Sequence, residues 1–378
     1  MKLRNRTPFI SLSLIALAIL ISGCGKKQEA CRPAPHKAVT PAAPATRDPG
    51  VQVAVVPDAD LLYYLDIAAM RETPIMKVIR EKRAAEGKTA PAQMDEDDWS
   101  KIKKLTGLDE EDLVSLLISA DLDTFDIDNR MSQELKQLKG ACAIALAKPL
   151  THAKVQECMR IMSSKSQLEE IELAGRPVVR VLSSSPKEPV IYTTVSATEK
   201  TLFIAVTESA MEGMLQRDSE GQSATPDPEL TRLGATITDG AQMRLLLLAS
   251  DPMRAKIAGL IDGAADSNPQ QKQSKRGIMA GFFSPLRNTR NIVLWAKAAE
   301  AIDLRFALEL GTASEAQQCA HLIQSFIVPM IGKSFESTDP ENKMQIDDSL
   351  DAINEDNMLV FTLQVTEQDV QNWQQPGS

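Results

Sequence analysis

Aromatic residues are scarce in this 378-residue chain, with 3 Trp, 3 Tyr and 9 Phe, or 4%. That scarcity argues against a cleft that stacks sugar rings on aromatic walls. Histidine is rarer still, with 3 in all. A catalytic thiol or hydroxyl needs a basic partner, and beyond residue 50 only His152 and His321 are available. His152 falls just inside a predicted helix N-terminus, where the dipole disfavours a charged imidazole. His321 comes two residues after Cys319, about 200° further round a helix, so the two cannot face one another. No phosphate-cradling glycine loop, nucleophile elbow, zinc-protease helix or paired-cysteine zinc pattern is present. Basic residues are outnumbered, 42 Lys and Arg against 51 Asp and Glu, which does not suit nucleic acid or an anionic lipid surface. These absences point away from an enzyme, a cofactor, a resident metal and a nucleic-acid partner.

The N-terminus is the most informative segment. Lys2, Arg4 and Arg6 precede an apolar run from Phe9 to Ile21, which ends in Ser22, Gly23 and Cys24. Positive, apolar and small residues in that order form a secretory signal, and the run is too short to span roughly 30 Å of hydrocarbon as a helix. The stretch Leu20-Ile21-Ser22-Gly23-Cys24 resembles the lipobox of bacterial lipoproteins. The resemblance implies a signal peptide over residues 1–23 and cleavage before Cys24. It further implies a diacylglyceryl group on the Cys24 sulfur and an acyl chain such as palmitate on the new amine. Two or three acyl chains anchor durably where one is marginal. Gly25 stands where family members retained at the inner membrane usually carry Asp, so the resemblance leans towards the outer membrane, with the remainder of the chain in the periplasm. Loss of the leader removes three basic residues and takes the formal charge from −9 to −12, 39 basic against 51 acidic.

Residues 24–50 hold Pro33, Pro35, Pro41, Pro44 and Pro49 and almost nothing large and apolar. Such a segment cannot bury enough surface to offset its ordering entropy. It reads as a tether that reaches roughly 80 Å when extended, with Cys31 and His36 incidental to it. The chain beyond is long enough for two domains, and no second apolar run there reaches membrane-spanning length.

Alternation marks strands. Ile302, Leu304, Phe306, Leu308 and Leu310 are spaced by Asp303, Arg305, Ala307 and Glu309, and Leu359 to Val365 alternate likewise, the pattern of a half-buried, mostly antiparallel sheet. Val190–Val195 and Thr201–Val206 flank a polar link and predict a hairpin. Several strands run into a helix that opens at a threonine cap: Thr151, Thr207, Thr312 and Thr366, the last two with Glu315 and Asp369 in capping-box position. Counted from Thr151 and Thr312, Gln156 matches Gln317, Cys158 matches Cys319 and Met162 matches Ile323. Extended outward, Leu61–Ile67 pairs with Met243–Ala249, Ile118–Asp123 with Val293–Ala298, and Cys142–Ala147 with Leu304–Leu310.

The expected fold is therefore α+β, a tandem pseudo-repeat with halves at 51–222 and 226–378 and helices packed on one face of each sheet. The prolines and small polar residues from Ser219 to Pro228 form the joint. The first half carries two further acidic-capped helical segments, around Trp99 and Leu113, with Gly107 as a stop between them. In arrangement the chain is similar to uncharacterised envelope proteins with duplicated α+β halves, a likeness that implies no activity.

Three cysteines lie in the halves, Cys142, Cys158 and Cys319. Small apolar filler and a Cys142–Cys158 bridge are both compatible with their spacing. Asp121, Asp123, Asp126 and Asp128 look superficially like a calcium loop but miss the glycine and glutamate it needs. Asp95–Asp98 and Asp109–Asp112 read as helix caps.

The expected role is a non-catalytic binding or scaffolding lipoprotein, held on the bilayer through Cys24, whose sheet face or cleft meets an envelope protein or an apolar ligand. The glycine-flanked Ile278–Phe283 stretch, with Phe282 and Phe283, is the candidate binding segment. The alternatives are a carboxylate-dependent envelope hydrolase built on Asp121, Asp123 and Asp126, and a lipid or lipoprotein carrier with an apolar cavity.

Overall fold

The structure, a computed structural model, describes residues 51–85, 96–122, 139–162, 166–183, 189–251, 253–255, 288–327 and 350–371. The leader, the tether, Cys24, Asp123, Asp126, Phe282 and Phe283 lie outside them. Chain contacts divide the molecule into two compact units, the described part of the first ending at Thr231 and the second starting at Arg232. The protein is α+β with a large antiparallel sheet, and every strand pairing within each unit is antiparallel.

The first unit opens with a 3-10 turn at Gln52–Ala54 and continues with β1 (Leu61–Asp66), α1 (Ile67–Arg71), α2 (Pro74–Ala85) and α3 (Glu96–Thr106). It then runs through β2 (Leu113–Asp121), β3 (Lys139–Leu146), α4 (His152–Met162), β4 (Gln167–Leu173), β5 (Arg176–Leu182), β6 (Ile191–Val195), β7 (Thr201–Ala205) and α5 (Glu208–Glu220). The seven strands lie in the order β1-β2-β3-β7-β6-β5-β4. The predicted β6–β7 hairpin is present, with Thr194 opposite Phe203.

The Trp99 segment is helical and stops at Gly107, whose φ of 72° suits a residue without Cβ. The Leu113 segment is not a helix. Asp109 and Asp112 close a capping box around the single 3-10 turn Glu110–Asp112, and the chain then enters β2 in register with β1. The acidic run caps as expected, but the β-branched and leucine residues after it find a partner strand, and pairing overrides the local pattern.

Because side chains alternate across a strand, neighbouring residues report opposite faces. Phe203 packs with Ala143, Ala205 and the α5 residues Met211, Met214 and Leu215. The adjacent Ile204 packs instead with Val179, Val181, Ile191 and Met159 of α4. Helices therefore cover both faces of the first unit's sheet, which corrects the expectation of one. The threonine caps in series could not show that successive crossovers pass on opposite sides.

The second unit continues from α6 (Pro228–Gly234), which straddles the division, with β8 (Met243–Leu248), β9 (Asn291–Ala298), β10 (Ile302–Glu309), α7 (Ala313–Leu322), β11 (Leu350–Glu355), β12 (Met358–Val365) and α8 (Glu367–Gln371). Its strands follow the order β8-β9-β10-β12-β11. Thr312 caps α7 through Glu315 N at 3.2 Å, as its sequence pattern predicts. The buried face of α7, Ala316, Cys319 and Ala320, and the Ile323 that follows it pack on Leu308, Leu359 and Ala352. Among the described residues no helix is long and apolar enough to cross a membrane.

Candidate functional site

The second unit's sheet has two unlike faces, and the strand registers identify them. One face is read off the row Leu245, Leu294, Phe306 and Phe361, directly opposed from β8 through β9 and β10 to β12. The next row towards α7 is Leu247, Ile292, Leu308 and Leu359, and the row on the other side is Met243, Ala296, Leu304 and Leu363. All twelve are apolar, as the alternating sequence requires of one face. Helix α7 covers the Leu308 and Leu359 end, whereas Leu245, Leu294, Leu304, Phe306, Phe361 and Leu363 are only half-buried. The Phe306 and Phe361 rings lie 5.8 Å apart at 35°, a tilted pair that stiffens the centre of the row.

The opposite face is more deeply buried: it carries the row Leu246, Val293, Ala307 and Val360, each 3% exposed or less, and beside that row a bonded polar cluster. Glu309 is 7% exposed yet carries a carboxylate. Its Oε2 accepts from Arg232 Nη2 at 2.6 Å and Asn291 Nδ2 at 2.7 Å, and its Oε1 accepts from Asn357 Nδ2 at 3.1 Å. Asn291 stands directly across from Glu309 in the β9–β10 register. Arg305 lies 6.0 Å from the ring centre of the buried Trp295, its register partner. With three donors on its two oxygens, this carboxylate is tied into the fold as a structural hub.

The chemistry-bearing residues of the first unit are likewise occupied or isolated. Asp121, which anchored the hydrolase alternative, is buried and meets Lys139 Nζ at 2.9 Å; Asp123 and Asp126 lie outside the described residues. Burial acts to raise the Asp112 pKa, but the Asp109 amide at 2.8 Å and Lys148 Nζ at 3.0 Å outweigh it and hold it below the usual carboxylate range. Among the described residues no three His, Cys, Asp or Glu side chains converge as a metal site.

All three thiols are free, so no Cys142–Cys158 bridge forms. Burial pushes the Cys142 thiol up to about 12 and those of Cys158 and Cys319 up to about 11, which leaves little thiolate to act as a nucleophile at neutral pH. Cys319 is buried and His321 exposed on the same helix, as their spacing requires. Cys158 is half-buried rather than a full match to Cys319. His152 is the first residue of α4, with Nδ1 3.4 Å from Thr194 Oγ1, while its Nε2 is buried without a hydrogen-bond partner among the described residues.

Of the residues singled out in the sequence, Cys24, Phe282 and Phe283 lie outside the described part. The half-buried apolar row was legible as an alternation, but only the registers show which residues of four separate strands stand side by side. No family model, curated protein or solved structure matches the chain.

Proposed function

We propose that this chain is a lipid-anchored bacterial envelope protein with a non-catalytic binding or scaffolding role, and that the apolar sheet face of its second unit receives the ligand or partner. The anchor rests on the lipobox-like Leu20–Cys24 stretch after its leader. The observation that carries the binding role is the row Leu245, Leu294, Phe306 and Phe361, contiguous across four strands and half-buried. Contiguous apolar surface of this kind, more accessible than the deeply buried reverse face of the same sheet, is a mark of an interaction site. The hydrogen-bonded carboxylates and protonated thiols favour binding over chemistry.

The two units are read as products of an internal duplication. In each, three antiparallel strands form a meander, a helix follows, and a later hairpin returns so that its second strand lies beside the third, β7 beside β3 and β12 beside β10. A threonine-associated helix then follows each returning strand, at Thr207 and at Thr366. The first unit adds the β4–β5 hairpin to this scheme.

Membrane fractionation tests the anchor: the wild-type chain should sediment with membranes and Cys24→Ala should be released. Leu294→Lys tests the face. It should abolish association with whatever co-purifies with the lipidated protein, with its circular dichroism unchanged. A Cys24→Ala chain that stays with membranes overturns the anchor, and undiminished association in Leu294→Lys overturns the binding face.

A further inference from the structure

The described chain begins in an unusual place for the end of a tether. Val51, Val53, Ala54, Val55 and Val56 are each 5% exposed or less, and they belong to the core cluster on the α5 side of the first unit's sheet. The segment is not a strand of that sheet. Five of its hydrogen bonds end on two side chains of the fold. Arg217 of α5 donates from Nε and Nη2 to the Val53 carbonyl at 3.0 and 2.7 Å, and from Nη2 to the Val55 carbonyl at 3.1 Å. Ser119 of β2 accepts from Val56 N at 2.9 Å and donates to the Ala54 carbonyl at 2.6 Å. The Ala224 amide adds a bond to the Gln52 carbonyl at 3.3 Å.

Helix and sheet are both shaped for this segment. Gly213 lies one turn before Arg217, and a Cβ there would stand 3.3 Å from Arg217 Nη1, so a glycine inside α5 leaves the guanidinium room to lie along the helix. Small residues at Ala141, Ala143 and Ala145 of β3 keep the sheet surface low where the segment packs. Among the described residues no carboxylate pairs with Arg217, whose acceptors are the two carbonyls of the segment. A guanidinium fork presents several donors in fixed geometry, which suits it to gripping a backbone.

We propose that Val51–Val56 is a strap, clasped by Arg217 and Ser119, that ties the tether into the core of the first unit and opens as a separate step from unfolding of the sheet. This rests on the tethered reading above. Docked, the chain is held from Val51 onward. Released, the chain is free as far as Asp60, ten residues further and about 33 Å of extended backbone before β1 begins. The clasp consequently governs the reach of an anchored molecule when tension is applied through its N-terminus.

Hydrogen exchange read by mass spectrometry on the full mature chain tests the strap. In Arg217→Ala the amides from Val53 to Asp60 should exchange at least tenfold faster than in wild type, while those of Val178–Val181 and Thr201–Ala205 keep their wild-type rates. Arg217→Lys retains the charge but loses the fork, and should give a smaller increase confined to the same amides. Ser119→Ala supplies the same test from the sheet side if Arg217→Ala does not fold. Equal acceleration across the whole unit, or none at the strap, overturns the proposal. The outcome is independent of lipidation, so release of Cys24→Ala from membranes and failure of the strap are read separately.

Discussion

The two units differ in how completely their buried polar groups are bonded. In the second, the Glu309 carboxylate is surrounded by Arg232, Asn291 and Asn357, and each of its oxygens is used. In the first, the Ser115 and Tyr63 hydroxyls are buried without a hydrogen-bond partner among the described residues, and burial raises the Tyr63 pKa. Their apolar packing also differs. The first unit closes helices over both faces of its sheet, so Phe203 at its centre is 0% exposed. The second leaves Phe306 half-buried in its apolar row. Among the described residues, both faces of the first unit's sheet are closed, whereas the second closes the face of Val293, Ala307 and Val360 and leaves the Phe306 row half-buried.

Packing gives the largest test of that contrast. Phe203→Ala should destabilise the first unit by about 3–5 kcal/mol, the cost of emptying a closed core site, whereas Phe306→Ala should cost the second unit roughly half as much. Urea titration with hydrogen exchange followed in each unit separates the two, and equal costs would erase the distinction between a closed and an open face. Next in size, Glu309→Ala leaves the buried Asn291 and the half-buried Asn357 without their acceptor, while the exposed Arg232 turns to solvent, and should cost about 1–3 kcal/mol. Ser115→Ala removes an orphaned hydroxyl and should be neutral or stabilise by up to about 1 kcal/mol. A destabilising Ser115→Ala would show that the hydroxyl is bonded after all.

The smallest effect is a dependence on pH. The Asp112 pKa is depressed in the folded chain by its bonds to the Asp109 amide and Lys148, which overcome the opposing effect of burial. Its contribution is therefore complete above the unfolded carboxylate pKa, near 4. It is lost as the pH falls from there through the lower folded value. Acid titration of Asp112→Asn should show a shallower loss of first-unit stability below about pH 4 than wild type. Parallel curves would reassign the acid sensitivity to other groups.

Local signals explain which parts were legible. Thr207 and Thr312 cap their helices because a hydroxyl before an apolar-periodic run has one nearby use. The β10 and β12 alternation was legible because Leu304, Phe306 and Leu308, and Leu359, Phe361 and Leu363, all fall on the one face that meets α7. The β4–β5 hairpin was missed: Gln167-Leu-Glu-Glu-Ile-Glu-Leu173 is rich in helix-forming residues, and the strand signal was the two-residue turn at Ala174 and Gly175, both with positive φ. β11 was missed because it is short and carries Asp351, Asn354 and Glu355.

By itself the sequence carried the lipobox-like stretch at Leu20–Cys24 and the proline-rich composition of 24–50, and it determined the antiparallel α+β class and the capped starts of α5 and α7, all of which depend on residues within a turn or two of each other. Only the tertiary structure decided that helices take both faces of the first sheet, that four strands align one apolar row, and that Arg217 reaches Val53 and Val55. The physical reason is the distance along the chain. Arg217 and Val53 are 164 residues apart, and no local propensity or period can encode which backbone carbonyl a guanidinium will meet once the sheet between them has closed.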